Sequence, residues 1–299
     1  MVKLAGPRTA PVRRRGTENL TEPLSRPSPQ VAALLRTLAR CTALIAVASL
    51  PLLSRDTPSQ SPTATIGPTS RIVPPPSGHR FPDGQVLAFT VEWHLLTAGT
   101  ATLKVEAASP QRKVTGTADS LGVTNVLYSV HDRFQAVFDP ATFCSLSIAK
   151  HTEEGPHRRD TDIGFDYSRR KSTLREMNLK TGENKRAEND IPPCVTDVLS
   201  GFYYLASLPL HAGTSYTFPV NDGGKTADVA AHVEGREQVR VPAGTFSAIR
   251  VSCEAVSGPL KGKGKIWVWF TDDATRTPVQ MRARLTWGTL LFRLQRMGR

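Results

Sequence analysis

From Phe81 to Arg299, apolar and polar residues alternate with a period of two, and this pattern constrains the fold more than any other feature of the chain. Leu87, Phe89, Val91 and Trp93 alternate with Ala88, Thr90 and Glu92. Ala101, Leu103, Val105 and Ala107 repeat the pattern, as do Cys144, Leu146 and Ile148, and then Thr161, Ile163, Phe165 and Tyr167. Such runs turn one face to a core and the other to water. Turn-forming residues separate them at Thr97-Ala98-Gly99, Ser109-Pro110, Asp139-Pro140, Glu154-Gly155-Pro156, Thr181-Gly182, Asp222-Gly223-Gly224, Pro242-Ala243-Gly244 and Gly258-Pro259. The spacing predicts about a dozen short strands and leaves no room for crossover helices, so the sheet is antiparallel. One segment departs from the pattern. After Pro192-Pro193, the residues Val195, Val198, Leu199, Phe202, Tyr203 and Ala206 form a stripe of helical period, and Asp197 suits the positive end of a helix dipole. In Trp267-Val268-Trp269-Phe270 both faces of a strand are apolar, so both are covered. The expected fold class is mainly β: a curved antiparallel sheet forming a half-open barrel or sandwich-like layer, with one short helix at about 195–207 packed on it. Residues 81–299 form a single β-rich domain.

The preceding residues have a different composition. The chain carries a formal charge of +12. Residues 1–80 hold 11 Lys/Arg against 3 Asp/Glu, a net of +8, and residues 81–299 hold 27 against 23, a net of +4. The basicity therefore belongs mainly to the leader, and a nucleic-acid partner is not expected. Residues 1–54 read as a leader whose uncharged run 41–53 follows Arg36 and Arg40. A basic flank before about 7–15 apolar residues is the pattern of an export signal or N-terminal anchor, and the run is short of the about 20 residues of a membrane span. Cys41 precedes the apolar run and is not read as a lipidation site. Residues 55–80 form a linker rich in Pro and Ser, ending in Pro74-Pro75-Pro76, of a composition that stays extended. Leader and linker are expected to be disordered, and the protein is expected to be exported to the periplasm or cell envelope.

Catalytic signatures are missing. The chain has no G-x-S-x-G elbow, phosphate-binding loop, H-E-x-x-H or paired C-x-x-C motif, so no catalytic residue, cofactor or metal is assigned. His151, Glu153, Glu154 and His157 are close enough in sequence to ligate zinc, but Gly155-Pro156 and Arg158-Arg159 make them a solvated hairpin tip. Asp272-Asp273 reads as turn chemistry. Lys261, Lys263 and Lys265 read as an edge strand kept soluble by charge, with anionic lipid headgroups as the functional alternative. Phe89, Trp93, Trp267 and Trp269 are the candidate lining of an apolar or lipid-like ligand pocket, with Phe134 and Phe138 nearby, because the mouths of curved sheets are common ligand sites. If the leader is removed, three cysteines remain. Cys144–Cys194 is the preferred disulfide, since one residue lies in a predicted strand and the other opens the helix, and Cys253 reads as a small buried hydrophobe.

Several stretches together carry a family resemblance. They are Gly84–Trp93, Ala98–Ala101, the block Cys194-Val195-Thr196-Asp197-Val198-Leu199-Ser200-Gly201-Phe202-Tyr203-Tyr204, the hairpin Val241–Val251, and Ile266–Phe270 with Asp273 and Arg276–Val279. In this order, over about residues 81–295, the chain resembles the bacterial DUF3108 domains, an envelope family without an assigned activity. The resemblance implies export and a mostly β fold, and it supplies no catalytic residues. At the level of fold alone the expected architecture is similar to the half-barrels of periplasmic lipoprotein carriers. The function expected is that of a non-catalytic module that binds an apolar or lipid-like molecule or assists envelope assembly, with an envelope protein as a further partner. Its rivals are a structural or protein-interaction module with a filled core and, less favoured, a cell-wall or lipid hydrolase.

Overall fold

The computed structural model describes residues 70–259, 261–286 and 288–298. The apolar run 41–53, Cys41 and the linker up to residue 69 lie outside the described residues.

Among the described residues fifteen strands form one sheet. In chain order they are β1 (Val86–Trp93), β2 (Leu96–Ala108), β3 (Gln111–Ser120), β4 (His131–Phe138), β5 (Ser145–Glu154), β6 (His157–Asp166), β7 (Lys171–Asn178), β8 (Asn184–Asp190), β9 (Thr196–Asp197), β10 (Ser215–Asp222), β11 (Lys225–Val241), β12 (Gly244–Ala255), β13 (Gly264–Thr271), β14 (Pro278–Leu285) and β15 (Gly288–Gly298). Two helices interrupt them, α1 (Gly122–Leu127) between β3 and β4, and α2 (Val198–Ser207) between β9 and β10. Sequence neighbours pair antiparallel throughout two runs, β1 to β8 and β10 to β15, and β1 pairs with β15 to join them. The sheet stays open, with β8 at one end and the two-residue β9, parallel to β10, at the other. It curls until these ends approach. Ser145 N donates to Val195 O at 2.8 Å, and Ser172 Oγ donates to Gly224 O at 3.0 Å, which lays the β10–β11 tip on β7.

Because the strands alternate in direction, the tips β1–β2, β3–β4, β5–β6, β7–β8, β10–β11, β12–β13 and β14–β15 lie along one edge, called upper here. The other tips, and the start of β1 with the end of β15, lie along the lower edge. In β1 and β6 the period-two residues do what their pattern predicts, whereas at the start of β5 Ser145 is buried and Leu146 only half-buried. Leu87, Phe89 and Val91 are buried while their β1 neighbours are less so. The main core gathers such residues from β1–β4 and β10–β15 around α2. A second, small cluster, Ile148, Ile163 and Leu174, serves β5–β7.

The helix begins at Val198, three residues later than its apolar stripe suggests. The sheet claims the residues before it: Val195 O takes the Ser145 N–H, and Thr196 and Asp197 pair with Val220 and Asn221. Asp197 becomes the N-cap, its Oδ1 accepting from Leu199 N at 2.8 Å and Ser200 N at 3.0 Å. Its Oδ2 accepts from Ser145 Oγ at 2.6 Å, fastening the helix start to β5. The second helix, α1, escapes a periodicity reading because none of its six residues is buried.

Two further expectations are corrected. The first hairpin turns at His94-Leu95, both with positive φ, and not at Thr97-Ala98-Gly99, which lies within β2. Gly99 serves close approach instead: a Cβ there would lie 2.3 Å from Asp119 O on β3. Residues 70–80, read from their prolines as spacer, lie against the domain. Arg71 N donates to Thr217 O at 3.0 Å, Val73 N donates to Tyr204 Oη at 3.2 Å, and Ile72 and Val73 pack on the core.

Candidate functional site

Helix α2 descends through the inside of the curled sheet from the upper edge to the lower. Below, aromatic rings fill most of the space beside it and leave a small polar cavity of about 40 Å³ between Phe202, Tyr203, Ala206 and the β13–β14 turn. Phe138 and Phe143 stack with centroids 5.5 Å apart, Phe81 meets both at 5.6 and 5.4 Å, and Tyr204 closes on Phe143 at 5.4 Å. Phe218 caps this cluster at 4.9 Å from Tyr204.

Above Phe218 the interior is empty. A half-open cavity of about 210 Å³ lies between α2 and the upper halves of β10–β14. Val198, Gly201, Phe202 and Leu205 form its helical wall, and Val220, Val229, Ala255, Ile266, Val268 and Leu285 form its sheet wall. Gly201 and Ala255 add little bulk to these walls, while Gly264 is small because a Cβ there would lie 2.7 Å from Arg284 O on β14. Polar residues stand at its boundary: Glu254, Lys263, and Asp197, whose carboxylate is engaged as N-cap. Cys253 also lines it, and burial pushes its thiol up to about 12, so it presents no thiolate. Apolar walls with a charged mouth can hold an apolar chain and leave a polar head in water.

The four aromatic residues proposed from sequence are not gathered here, and none lines the cavity. Phe89 is a fully buried core residue on β1. Trp93 ends β1 on the upper edge, edge-on to His94 with centroids 4.6 Å apart. Trp267 and Trp269 point to the face opposite Ile266 and Val268, as period two requires. There Trp267 Nε1 donates to Glu234 Oε1 at 3.2 Å and Trp269 Nε1 donates to Glu237 Oε1 at 2.6 Å. Arg282 lies over the Trp269 ring, and Lys265 and Arg284 over that of Trp267. Phe134 on β4 stands opposite Gly116 on β3, and Phe138 belongs to the lower aromatic cluster. The sequence signal that finds the cavity is the other half of the same alternation, Ile266 and Val268, together with small residues facing them.

Cys144 and Cys194 form a disulfide with Cα atoms 5.1 Å apart, linking the loop before β5 to the segment leading into α2. The His151–His157 segment and the Asp272-Asp273 pair are engaged in local contacts. His151 Nδ1 is 2.6 Å from Asp160 Oδ1, and Glu153 faces Arg158; no group of three potential metal ligands occurs among the described residues. Arg236 and Arg276 bind Asp272, and the Arg236 bond holds its carboxyl below the usual range. Asp273 Oδ1 accepts from Thr275 N at 2.8 Å and Thr271 Oγ1 at 2.9 Å, closing the β13–β14 turn. One unusual carboxyl has no sequence motif. Asp132 on β4 is buried, accepts from Glu153 N at 3.1 Å, and is raised to about 7 by burial and by the neighbouring Glu154 charge. No helix among the described residues is long and apolar enough to cross a membrane.

No curated protein matches the chain. Among solved structures, a β-barrel-like protein of the DUF1849 domain from Brucella abortus is similar at 7% identity, covering 77% of this chain and 99% of its own, with a TM-score of 0.52. That likeness concerns the fold alone. A protein from Bacteroides fragilis described as exported, with a YmcC-like fold, is 9% identical, covers 77% of this chain and 100% of its own, and has a TM-score of 0.34. The family model for DUF3108, a protein of unknown function, matches residues 88–295. That span takes in the strands from β1 to β15, and with them every wall of the cavity and the helix that divides it from the aromatic floor. The chain belongs to the DUF3108 family.

Proposed function

We propose that this domain is a non-catalytic module of the cell envelope that takes one apolar segment of a lipid-like molecule into the cavity beside α2. The single observation that carries the reading is the cavity itself, half-open and lined mainly by apolar side chains. Its about 210 Å³ is below the roughly 300–1,000 Å³ of sites that enclose a drug-sized ligand. The occupant is therefore a single chain segment, with its head outside beside Lys263 and Glu254. Export is supported by the basic-flanked apolar run 41–53 and by the Cys144–Cys194 bond, which suits an oxidising compartment.

Titration with the lipophilic probe N-phenylnaphthylamine, competed by a fatty acid, tests the cavity. Ala255→Phe combined with Val229→Phe fills it, and is expected to weaken probe binding by at least about tenfold, equivalent to about 1.4 kcal/mol, while the melting temperature is kept or raised. Undiminished probe binding by a folded double variant rejects the cavity as the site.

A further inference from the structure

We infer that the upper edge of the sheet docks on an anionic lipid bilayer, with the cavity mouth facing the membrane. Of the eleven large apolar side chains exposed among the described residues, six gather on the β1–β2 tip and the adjoining segment 121–127: Leu95, Leu96, Leu121, Val123, Val126 and Leu127. The β1–β2 tip offers Leu95, 96% exposed, and Leu96. The neighbouring helix α1 offers Val123 and Val126, and buries no residue of its own. It is held to this edge by its backbone and polar groups, with Leu121 N donating to Ala98 O at 2.9 Å and Ser120 Oγ donating to Asn125 Oδ1 at 2.7 Å. Its apolar side chains thus serve no packing purpose within the domain. The tip is also costly to make. His94 and Leu95 have φ of 47° and 67°, a region that glycine or asparagine occupies far more readily. Local strain spent on displaying a leucine to water is explained if the leucine has somewhere apolar to go.

Charge selects the partner. Along the same edge Lys261, Lys263 and Lys265 form no ion pair among the described residues, and neither does Arg284; Lys265 and Arg284 rest on the Trp267 ring. Apolar tips that enter the headgroup boundary, beside cations that meet phosphates, make the surface of an interfacial binder. A second copy of the chain would bring like charges together at this edge. Lys263, Gly264, Glu254 and Leu285, which line the cavity, lie at this same edge, so a lipid segment would pass from bilayer to cavity without crossing water. This docking deepens the function proposed above and takes its purpose from it, yet the two fail separately.

The experiment uses the full chain carrying Cys41→Ser, with an environment-sensitive nitrobenzoxadiazole label at Leu95→Cys, Val126→Cys or, on the lower edge, Thr245→Cys. The Cys41→Ser protein alone gives the background. Vesicles of phosphatidylethanolamine with phosphatidylglycerol should shift the emission of labels at 95 and 126 to the blue and expose them to a lipid-borne quencher, with the label at 245 unchanged. Because the readout is local, vesicle binding through residues 41–53 does not mimic it. Lys261→Gln and Lys265→Gln should each weaken the response about fivefold, equivalent to about 1 kcal/mol per lysine. An equal response at 245, or none at 95 and 126 in protein that still binds the probe, overturns the docking. A shift that grows with protein concentration without vesicles identifies self-association and also overturns it. Docking that persists in protein unable to bind the probe upholds the membrane surface and removes the cavity reading.

Discussion

The two ends of the interior are built from the same sheet and helix, yet one is packed with aromatic rings around a polar cavity of about 40 Å³ and the other keeps an apolar cavity of about 210 Å³. Below, Phe81, Phe138, Phe143 and Tyr204 interlock, and residues 70–80 are drawn over them. Above, glycine and alanine occupy positions where large residues would close the wall. A chain selected only for stability would fill both ends, since buried apolar area and close packing are its main stabilisers. The lower end therefore carries the stability of the domain, and the upper end sets aside part of that stability to keep its cavity.

This contrast can be broken in graded steps. Phe138→Ala, in the aromatic end, is expected to cost about 3–5 kcal/mol, measured by denaturant unfolding; a loss below about 1 kcal/mol would mean that the aromatic cluster is not the stability centre. Replacing Cys144 and Cys194 by alanine releases a 50-residue loop and should cost about 2–4 kcal/mol, seen equally as the effect of reductant on the native protein. Asp132→Asn should act through pH. Its carboxyl, near 3.8 when unfolded, is raised to about 7 in the fold. The folded state thus holds the proton more tightly, and stability falls as pH rises from about 4 to 7, the cost being fully present above 7. The variant should flatten that slope and gain on the order of 2 kcal/mol at pH 8; an unchanged slope would remove Asp132 as its source. Smallest of all, Val198→Ala at the open end should cost less than about 1 kcal/mol, because this residue is already exposed. A larger loss would show that the upper wall is packed after all.

The sequence made the sheet legible because burial on one face writes itself as alternation. That holds for β1, β2 and β6, whose inward residues differ sharply from their neighbours. It fails for β8, mostly exposed, and for β9, two residues long, neither of which has an inner face to mark. Helix α2 shows its stripe because it is packed, and α1 shows none because it is not. The cavity was harder to see. Trp267 and Trp269 attract attention as large aromatics, but size does not say which face is inner. The wall is marked instead by what is small, at Gly201 and Ala255, and smallness has many causes in a sequence: Gly264 beside them is small to let β14 approach.

The pairing of β1 with β15 sets the order of assembly. The first and last strands of the domain lie side by side in mid-sheet, Val91 opposite Phe292. Each hairpin run can zip up locally as it emerges, but the seam between them waits for residues 288–298. Until then β1 keeps an unpaired edge, and the main core, which draws on both runs, lacks one side. A domain wired in this way stays unfinished until its last strand has been made, and its two hairpin runs become one fold in a single late step.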